Sequence, residues 1–399
     1  MKLRSICVFI LIICLSFSLI PVTVSAASPT ATLTVDGDLI GTYTSVQEAI
    51  DAVALETGTN FVIEVAAGTV SDPINILQLP NKNVVLKPQP GASVTFTNTI
   101  TIDGNGNLNN PETLLIQGFT FDFTSGSPEN CIYFNLIPPR VGFSYPHNVT
   151  INGCTFKGVY DTTVAVQSIP GGSRNLAIMN CTATDMHSLA QFKAVSGYAL
   201  IQNCVLENCA GGVNYYGTGN LVVDSCKFNV TGYAVRSGQS SGTISDSGSV
   251  TVNNSILNSN SAEDGTIVLR GDSTRYINIL HSNITNNNAS GAAIENLNMA
   301  SQDQYRINIV ESNRTGGILN INLSTINTID DPNVPNGPVN ISGNGSNGTN
   351  IIILLLQILL IMVLVLVIVI LACVIRCIIR FLGAFWRKRR SKREVKDKS

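Results

Sequence analysis

The sequence predicts an all-β protein wound as a solenoid, with a short helix capping its start and one transmembrane helix beyond its end. Three observations predict it. Segments 148–154, 175–181, 198–204, 220–226, 249–255, 276–282 and 306–312 can be laid over one another. Each alternates apolar with polar residues, as a strand with one buried face does, and each ends on Cys or Ser. Successive ends lie 27, 23, 22, 29, 27 and 30 residues apart, a period at which one coil buries its apolar side only against the next. Finally, 351–375 is apolar apart from Gln357, long enough to cross a hydrocarbon layer about 30 Å thick.

The elements follow in order. Residues 1–26 open on Lys2 and Arg4, run apolar from Ile6 to Ile20 and close on Val24-Ser25-Ala26. That is a secretory signal cut before Ala27. The alternative is a first membrane helix, against which stand the short apolar core and the Pro21 break. Around 41–68, Thr44 or Ser45 ahead of Gln47 and Glu48 gives a helix start. Val46, Ile50, Val53 and Ala54 form one apolar stripe, so this segment is the expected N-terminal cap of the solenoid core. A strand at 61–65 follows, then strands at 83–87 and 94–102, and the stretch 114–121 repeats the pattern with Phe119 at the ladder position.

After each ladder residue a second apolar segment recurs, for example at 131–136, 163–166, 190–195, 211–216, 233–236, 266–270, 292–294 and 318–321. Two or three short strands per coil, joined by Asn- and Gly-rich corners, describe a parallel β-helix over the ectodomain 27–327. Asn suits such corners because it tolerates left-handed backbone angles. Residues 328–350 are rich in Asn, Gly, Pro and Ser without apolar periodicity and read as a flexible stalk.

With Ser45-Val-Gln-Glu-Ala-Ile50 followed by Val62-Ile-Glu-Val65 and then coils, the chain resembles the right-handed parallel β-helix family, the pectin-lyase-like superfamily, over roughly Ala31 to Asn327. The full layout of signal, solenoid, stalk and span is similar to the membrane-anchored adhesin-like proteins of methanogenic archaea. The resemblance implies a right-handed coil. It also implies two candidate activities for comparison, polysaccharide lyases and glycoside hydrolases that cleave acidic polymers.

Ten Lys and Arg in the tail, 376–399, belong on the cytoplasmic side of the membrane, where anionic lipid also holds them. Beside a span, that tail is a poor nucleic-acid patch. The expected location is therefore the cell membrane, single-pass, with the N-terminus outside and membrane lipid as a partner of the C-terminal helix. Between 27 and 375 there are 12 Lys and Arg against 24 Asp and Glu, a net charge near −12. Such an exterior disfavours nucleic acid and unassisted binding of polyanions. It is compatible with Ca2+, but no motif supports a site, and no cofactor is implied. Asn-Xaa-Ser/Thr sequons are frequent; Asn340, Asn344 and Asn347 crowd into the stalk and are the glycosylation candidates.

Cys154, Cys181, Cys204 and Cys226 occupy one ladder position on four consecutive coils, continued by Ser255 and Ser282. With coils about 4.8 Å apart, an inward column of thiols is expected. Parallel side chains suit bridge geometry poorly, so free thiols are favoured, with disulfides left open for an exported protein. The spacing does not resemble a metal site.

No catalytic residue is assigned. Glycoside hydrolysis needs two carboxylates flanking one bond. Asp161, Asp185, Asp224, Glu263, Asp264 and Glu295 are scattered near corners instead. Lys193, Tyr216, Arg236, Arg270 and Glu295 fall at outward positions of the second apolar segments, where they could form a stripe that grips carbohydrate; a plain solvated strand face is the other reading. His147, His187 and His281 lie in different coils and read as surface or corner residues. Arg270-Gly-Asp-Ser273 is a short chance match to an integrin-type tripeptide. The sequence thus points to a membrane-anchored, non-catalytic adhesion or carbohydrate-binding surface protein, with a tethered lyase or hydrolase as the alternative.

Overall fold

A computed structural model describes residues 28–76, 79, 81–104, 113–136, 148–168, 175–195, 198–217, 219–238, 248–270, 276–297, 306–320 and 325–329. The expected signal, transmembrane helix and basic tail lie outside the described residues, as does the stalk from 330 onward. Among the described residues no helix is long and apolar enough to cross a membrane.

The described chain starts with a hairpin that the repeat pattern does not announce. Strands β1 (Ala31–Val35) and β2 (Asp38–Tyr43) pair antiparallel around Asp36 and Gly37, whose φ angles are 51° and 101°. Asp-Gly is the sequence signature of that two-residue turn. The Asp36 carboxylate then accepts hydrogen bonds from the backbone N–H of Thr59 (3.2 Å) and Asn60 (3.0 Å), tying the hairpin to β3 (Asn60–Val65). These bonds hold the Asp36 carboxyl below its usual value.

Between them, α1 (Val46–Leu55) starts at Ser45, whose Oγ accepts from Glu48 N–H at 3.2 Å. Glu48 in return accepts from the N–H and hydroxyl of Thr44. The helix buries Val46, Ala49, Ile50 and Val53, while Ala54 is exposed. Ala49, three residues after Val46 and four before Val53, takes the place expected of Ala54. At the other end Lys82 Nζ donates to Val53 O and to Glu56 O (2.7 Å) and stands 4.6 Å over the Phe61 ring. A cation there answers the negative end of the helix dipole.

From β3 onward the chain winds through three parallel sheets, of eleven, ten and ten described strands, and β1 and β2 extend the first by two antiparallel strands. One coil reads Asn148–Asn152 in the first sheet, Thr155–Lys157 in the second and Val164–Ser168 in the third. This is a parallel β-helix. Register is kept from coil to coil: Asn148 faces Asn175, Asn175 faces Tyr198, and Tyr198 faces Asn220. The stretch 94–102, read from sequence as one strand, is two, Val94–Phe96 in the second sheet and Ile100–Gly104 in the third. The last described strand, Thr325–Ile329, runs two residues beyond Asn327.

Inward residues form columns. In the first sheet these include Leu114, Val149, Leu176, Ala199, Leu221, Val250 and Ile277, all essentially buried. In the second, Phe96, Phe121 and Phe156 stack ring on ring with centroids 5.3 and 5.0 Å apart. Like side chains above one another bury area without changing the register, which is what makes a coil repeat stable. The same column continues through Ala183, Leu206, Phe228, Leu257 and Ile284, and ends, among the described residues, at Arg314. Partial burial lowers the pKa of that guanidinium.

Candidate functional site

Two corners of each coil are described well enough to compare. From the coil of Asn148–Asn152 onward, the tight corner between the first and second sheets is two residues long. Its first residue has positive φ on these coils: Gly153 (62°), Asn180 (53°), Asn203 (52°), Ser225 (54°), Asn254 (46°), His281 (47°) and Glu311 (44°). Its second residue is the inward Cys or Ser. Thr182 N–H bonds to Cys154 O, Val205 N–H to Cys181 O, and Lys227 N–H to Cys204 O, so the four cysteines stand on successive coils.

The carbonyl two residues earlier accepts a backbone N–H from the preceding coil, as Met179 O does from Gly153 and Gln202 O from Asn180, and the column residue adds a second donor to it. Cys181 Sγ donates to Met179 O at 3.1 Å, Cys204 to Gln202 O at 3.3 Å, Ser255 to Asn253 O and Ser282 to Leu280 O at 2.7 Å. The position needs a side chain that is small and also donates. All six described cysteines are buried free thiols. Burial pushes Cys131 well up and Cys209 up to about 11, and the neighbouring thiols Cys181 and Cys226 together with burial raise Cys204. Within the column the thiols pull in opposite directions: hydrogen bonds from Cys154 and Cys204 lower Cys181 to about 4, while Cys154 and Cys204 are raised.

The wide corner, between the second and third sheets, differs in length from coil to coil and carries the chemistry. Arg236 projects outward from Val235–Ser237, and its Nη2 donates to Asp264 Oδ2 at 2.8 Å. Both side chains are mostly buried, 18% and 20% exposed. The guanidinium lies 3.8 Å from the centroid of the Tyr233 ring. Tyr233 packs down on Gly211, where a Cβ would meet the ring at 3.0 to 3.3 Å, and Gly212 and Gly232 press against the Ala234 and Ala210 carbonyls. Only glycine lets these coils approach so closely. Tyr160 OH is hydrogen-bonded to Thr231 Oγ1, reaching from the corner at 158–163 across the intervening coils. His187 sits half-buried on this corner, and burial lowers its pKa, with Asp161 opposing and Arg236 reinforcing the shift.

Asn214 faces Arg236 directly in the third sheet. It is 6% exposed, and its Nδ2 donates to Tyr216 OH at 2.7 Å. Asn214 Oδ1 and Arg236 Nε are both buried without a hydrogen-bond partner. Both atoms are enclosed within the corner, so they are polar groups left over by its packing rather than groups presented to solvent. A groove of about 390 Å³ begins at Thr231 on the same corner, lined also by Glu207, Asn208, Asn229, Val230, Asn260 and Asn287. A second, of about 380 Å³, lies on the outer face of the first sheet by Thr113, Leu115, Thr150 and Asn180.

The stripe expected from the sequence divides into two rows. Arg236 faces Val268, which faces Glu295; Lys193 faces Tyr216, two residues further along, and Arg270 faces Leu297. Glu295 is 5% exposed, accepts the Gly265 N–H at 2.8 Å, and so does not present itself to solvent. Of the scattered acids, Asp161, Asp185 and Asp264 fall on the wide corner, whereas Asp224 closes a first-sheet strand and accepts from Gln202 and Asn253. His281 is on the tight corner, 2.9 Å from Glu311, and His147 lies outside the described residues. So do Asn340, Asn344, Asn347 and the segment after Arg270. Among the described residues no group of His, Cys, Asp and Glu could hold a metal ion. Tyr160, Tyr233 and Asn214 were not singled out from the sequence; the glycines at 211, 212 and 232 beside Tyr233 were the available signal.

No family model matches the chain, and no curated protein matches it. Solved structures do. The A-module of the Azotobacter vinelandii mannuronan C-5 epimerase AlgE4 matches with 14% identity and a TM-score of 0.36, covering 72% of this chain and 87% of that one. The AlgE6 A-module of the same organism matches at 15% identity and a TM-score of 0.33, over 72% and 92%. The Streptococcus pneumoniae surface protein and adhesin PfbA matches at 15% identity and a TM-score of 0.25, over 71% and 95%. The fold assignment rests on the strand order given above, to which likenesses this distant add nothing.

Proposed function

We propose that the chain is a membrane-anchored, extracellular β-helix surface protein that binds carbohydrate at the wide corner without chemical turnover. Residues 1–26 and 351–399 support the placement, and α1 supports a closed N-terminal end of the core. The observation that carries the binding role is the groove of about 390 Å³ on that corner, to which Glu207, Asn208, Asn229, Thr231, Asn260 and Asn287 contribute carboxylate, amide and hydroxyl groups. A sugar offers hydroxyls that donate to and accept from such groups. The test is binding of the full-length chain in detergent to an immobilised glycan panel. Retention that Tyr233→Ala abolishes supports the reading; uniformly negative panels with folded protein remove it.

A tethered polysaccharide lyase or hydrolase is the second reading, and one observation favours it. His187 is held neutral by burial, close enough to Asp161 and Arg236 to feel both. A neutral imidazole is a competent base near pH 7. Incubation with polygalacturonate and alginate, with and without Ca2+, decides between the two. New unsaturated or reducing ends that disappear in His187→Ala and Arg236→Ala establish turnover.

A further inference from the structure

We propose that the N-terminal end of the solenoid docks an extended, cationic strand of a partner protein along the outer edge of β2. The inference is independent of the carbohydrate-binding reading. Three features carry it. First, the strand order of the first sheet ends on β2, which pairs with β1 alone. Its outer edge therefore offers backbone groups to a further strand. The strand, Asp-Leu-Ile-Gly-Thr-Tyr, has neither the Lys nor the Pro that commonly blunts such an edge. A bulge falls at Ile40, since Leu33 faces Gly41 and Thr34 faces Leu39, and Gly41, Thr42 and Tyr43 beyond it keep regular register. Second, apolar side chains are left outside the core here. Leu39 is 67% exposed, Ile40 41% and Leu55 of α1 85%, three of the five large hydrophobics exposed among the described residues. A Cβ on Gly58 would lie 2.3 Å from Val35 Cγ1 and 2.9 Å from Asp36 Oδ2, so the chain leaving α1 runs against the hairpin that carries Leu39. Single exposed apolar residues are ordinary, whereas several beside a bare sheet edge mark a contact surface. Third, residues 28–81 hold seven Asp and Glu and no Lys or Arg. The next two cations are committed locally: Lys82 Nζ donates to the Val53 and Glu56 carbonyls, and Lys87 stands 3.1 Å from Glu64. The negative field over this end repels a second copy of itself and draws a strand bearing Lys or Arg. Backbone pairing holds the newcomer, its apolar side chains cover Leu39 and Ile40, and its cations answer the exposed Asp38 and the acids around it.

The probe is a synthetic peptide of about nine residues, the length of a strand, alternating Lys and Val, titrated calorimetrically into the full-length chain in detergent. Two peptides of the same length serve as controls. Lys alternating with Pro keeps the charge but cannot join a ladder, and Glu alternating with Val keeps the strand but reverses the charge. The expected result is that the Lys–Val peptide binds at least about tenfold more tightly than either control. Its affinity should fall several-fold between about 50 and about 300 mM salt, because exposed charges are being paired. Leu39→Lys should weaken it by about tenfold, whereas Ile256→Lys, at an exposed position on a distant coil, should leave it unchanged. Equal affinity for the Lys–Val and Lys–Pro peptides reduces the effect to bulk charge and overturns strand docking. Absence of binding overturns it, as does unchanged affinity in a Leu39→Lys chain whose urea midpoint matches the native one. A native chain that leaves the peptide unbound and sediments as a dimer, dissolved by Leu39→Lys, gives the edge to a second copy and overturns the cationic partner. The ranking of peptides by the native chain stands independently of any variant's folding, and glycan retention is read separately, so the two proposals fail apart.

Discussion

The tight and the wide corners sit on the same coils yet obey opposite rules. At the tight corner each coil repeats the one before it: a left-handed residue, then a small inward donor that returns a proton to the carbonyl two positions back. Every bond is made within the coil and its neighbour, and the surface is left uniform. At the wide corner no residue repeats. Tyr160 bonds Thr231, and Arg236 lies over Tyr233 while pairing with Asp264 of the next coil, contacts that exist because the coils stack in register. Repetition makes the tube; departure from it makes a site.

The contrast can be broken at its strongest point first. Gly212→Val places a branched side chain against the Ala234 carbonyl and the Phe228 ring. We expect a loss of about 3 kcal/mol, read from the urea midpoint of the full-length chain. Arg236→Met comes next. It removes the charge-assisted bond to Asp264 in a largely buried position and should cost about 2 kcal/mol by the same measurement. If the midpoint does not move, the ion pair is not holding the corner.

On the tight side, Ser255→Ala removes the donor to Asn253 O and the acceptor of Cys226 N–H, and should cost about 1 to 2 kcal/mol. Cys204→Ser keeps a small donor and should stay within about 0.5 kcal/mol. Equal losses in both would mean that size alone, and not hydrogen bonding, selects the residue.

The smallest effect is a pH dependence. His187 has a folded-state pKa below its ordinary 6.5, chiefly through burial. The unfolded chain therefore takes up the proton first, so stability is full above that value and falls as pH drops through it, levelling below the folded pKa. Comparing urea midpoints of native and His187→Gln chains between about pH 5 and about pH 8 isolates the slope, which should flatten in the variant.

The same contrast explains what the sequence made legible. Cys154, Cys181, Cys204 and Cys226 stand out because one residue per coil recurs behind an alternating strand, and that fixes coil, column and first sheet together. The short strands of the second sheet, such as Thr182–Thr184, carry a single inward residue, too little for a period to register. The hairpin of β1 and β2 was signalled by Asp36-Gly37, but an antiparallel pair is foreign to a search for coils. Arg236 was picked out as one of a stripe. Its real partners, Tyr233 and Asp264, became visible only once corner lengths were known, since an outward position in sequence does not say what the next corner folds over it. The same holds for Glu295, which lies at an outward strand position yet is 5% exposed and bonded to Gly265 N–H.

Arg314 sets a condition on whatever meets the solenoid beyond it. The second sheet's last described strand, Asn313–Thr315, offers backbone groups to a further strand, the kind of edge at which proteins aggregate. A newcomer pairing in register would set its own inward side chain against a guanidinium, not against isoleucine. An aliphatic residue there would trap a cation without an answer, whereas a carboxylate or an aromatic face would receive it. Any strand added in register at this position would therefore have to bring a group that answers a cation, a demand the aliphatic residues of the column do not meet.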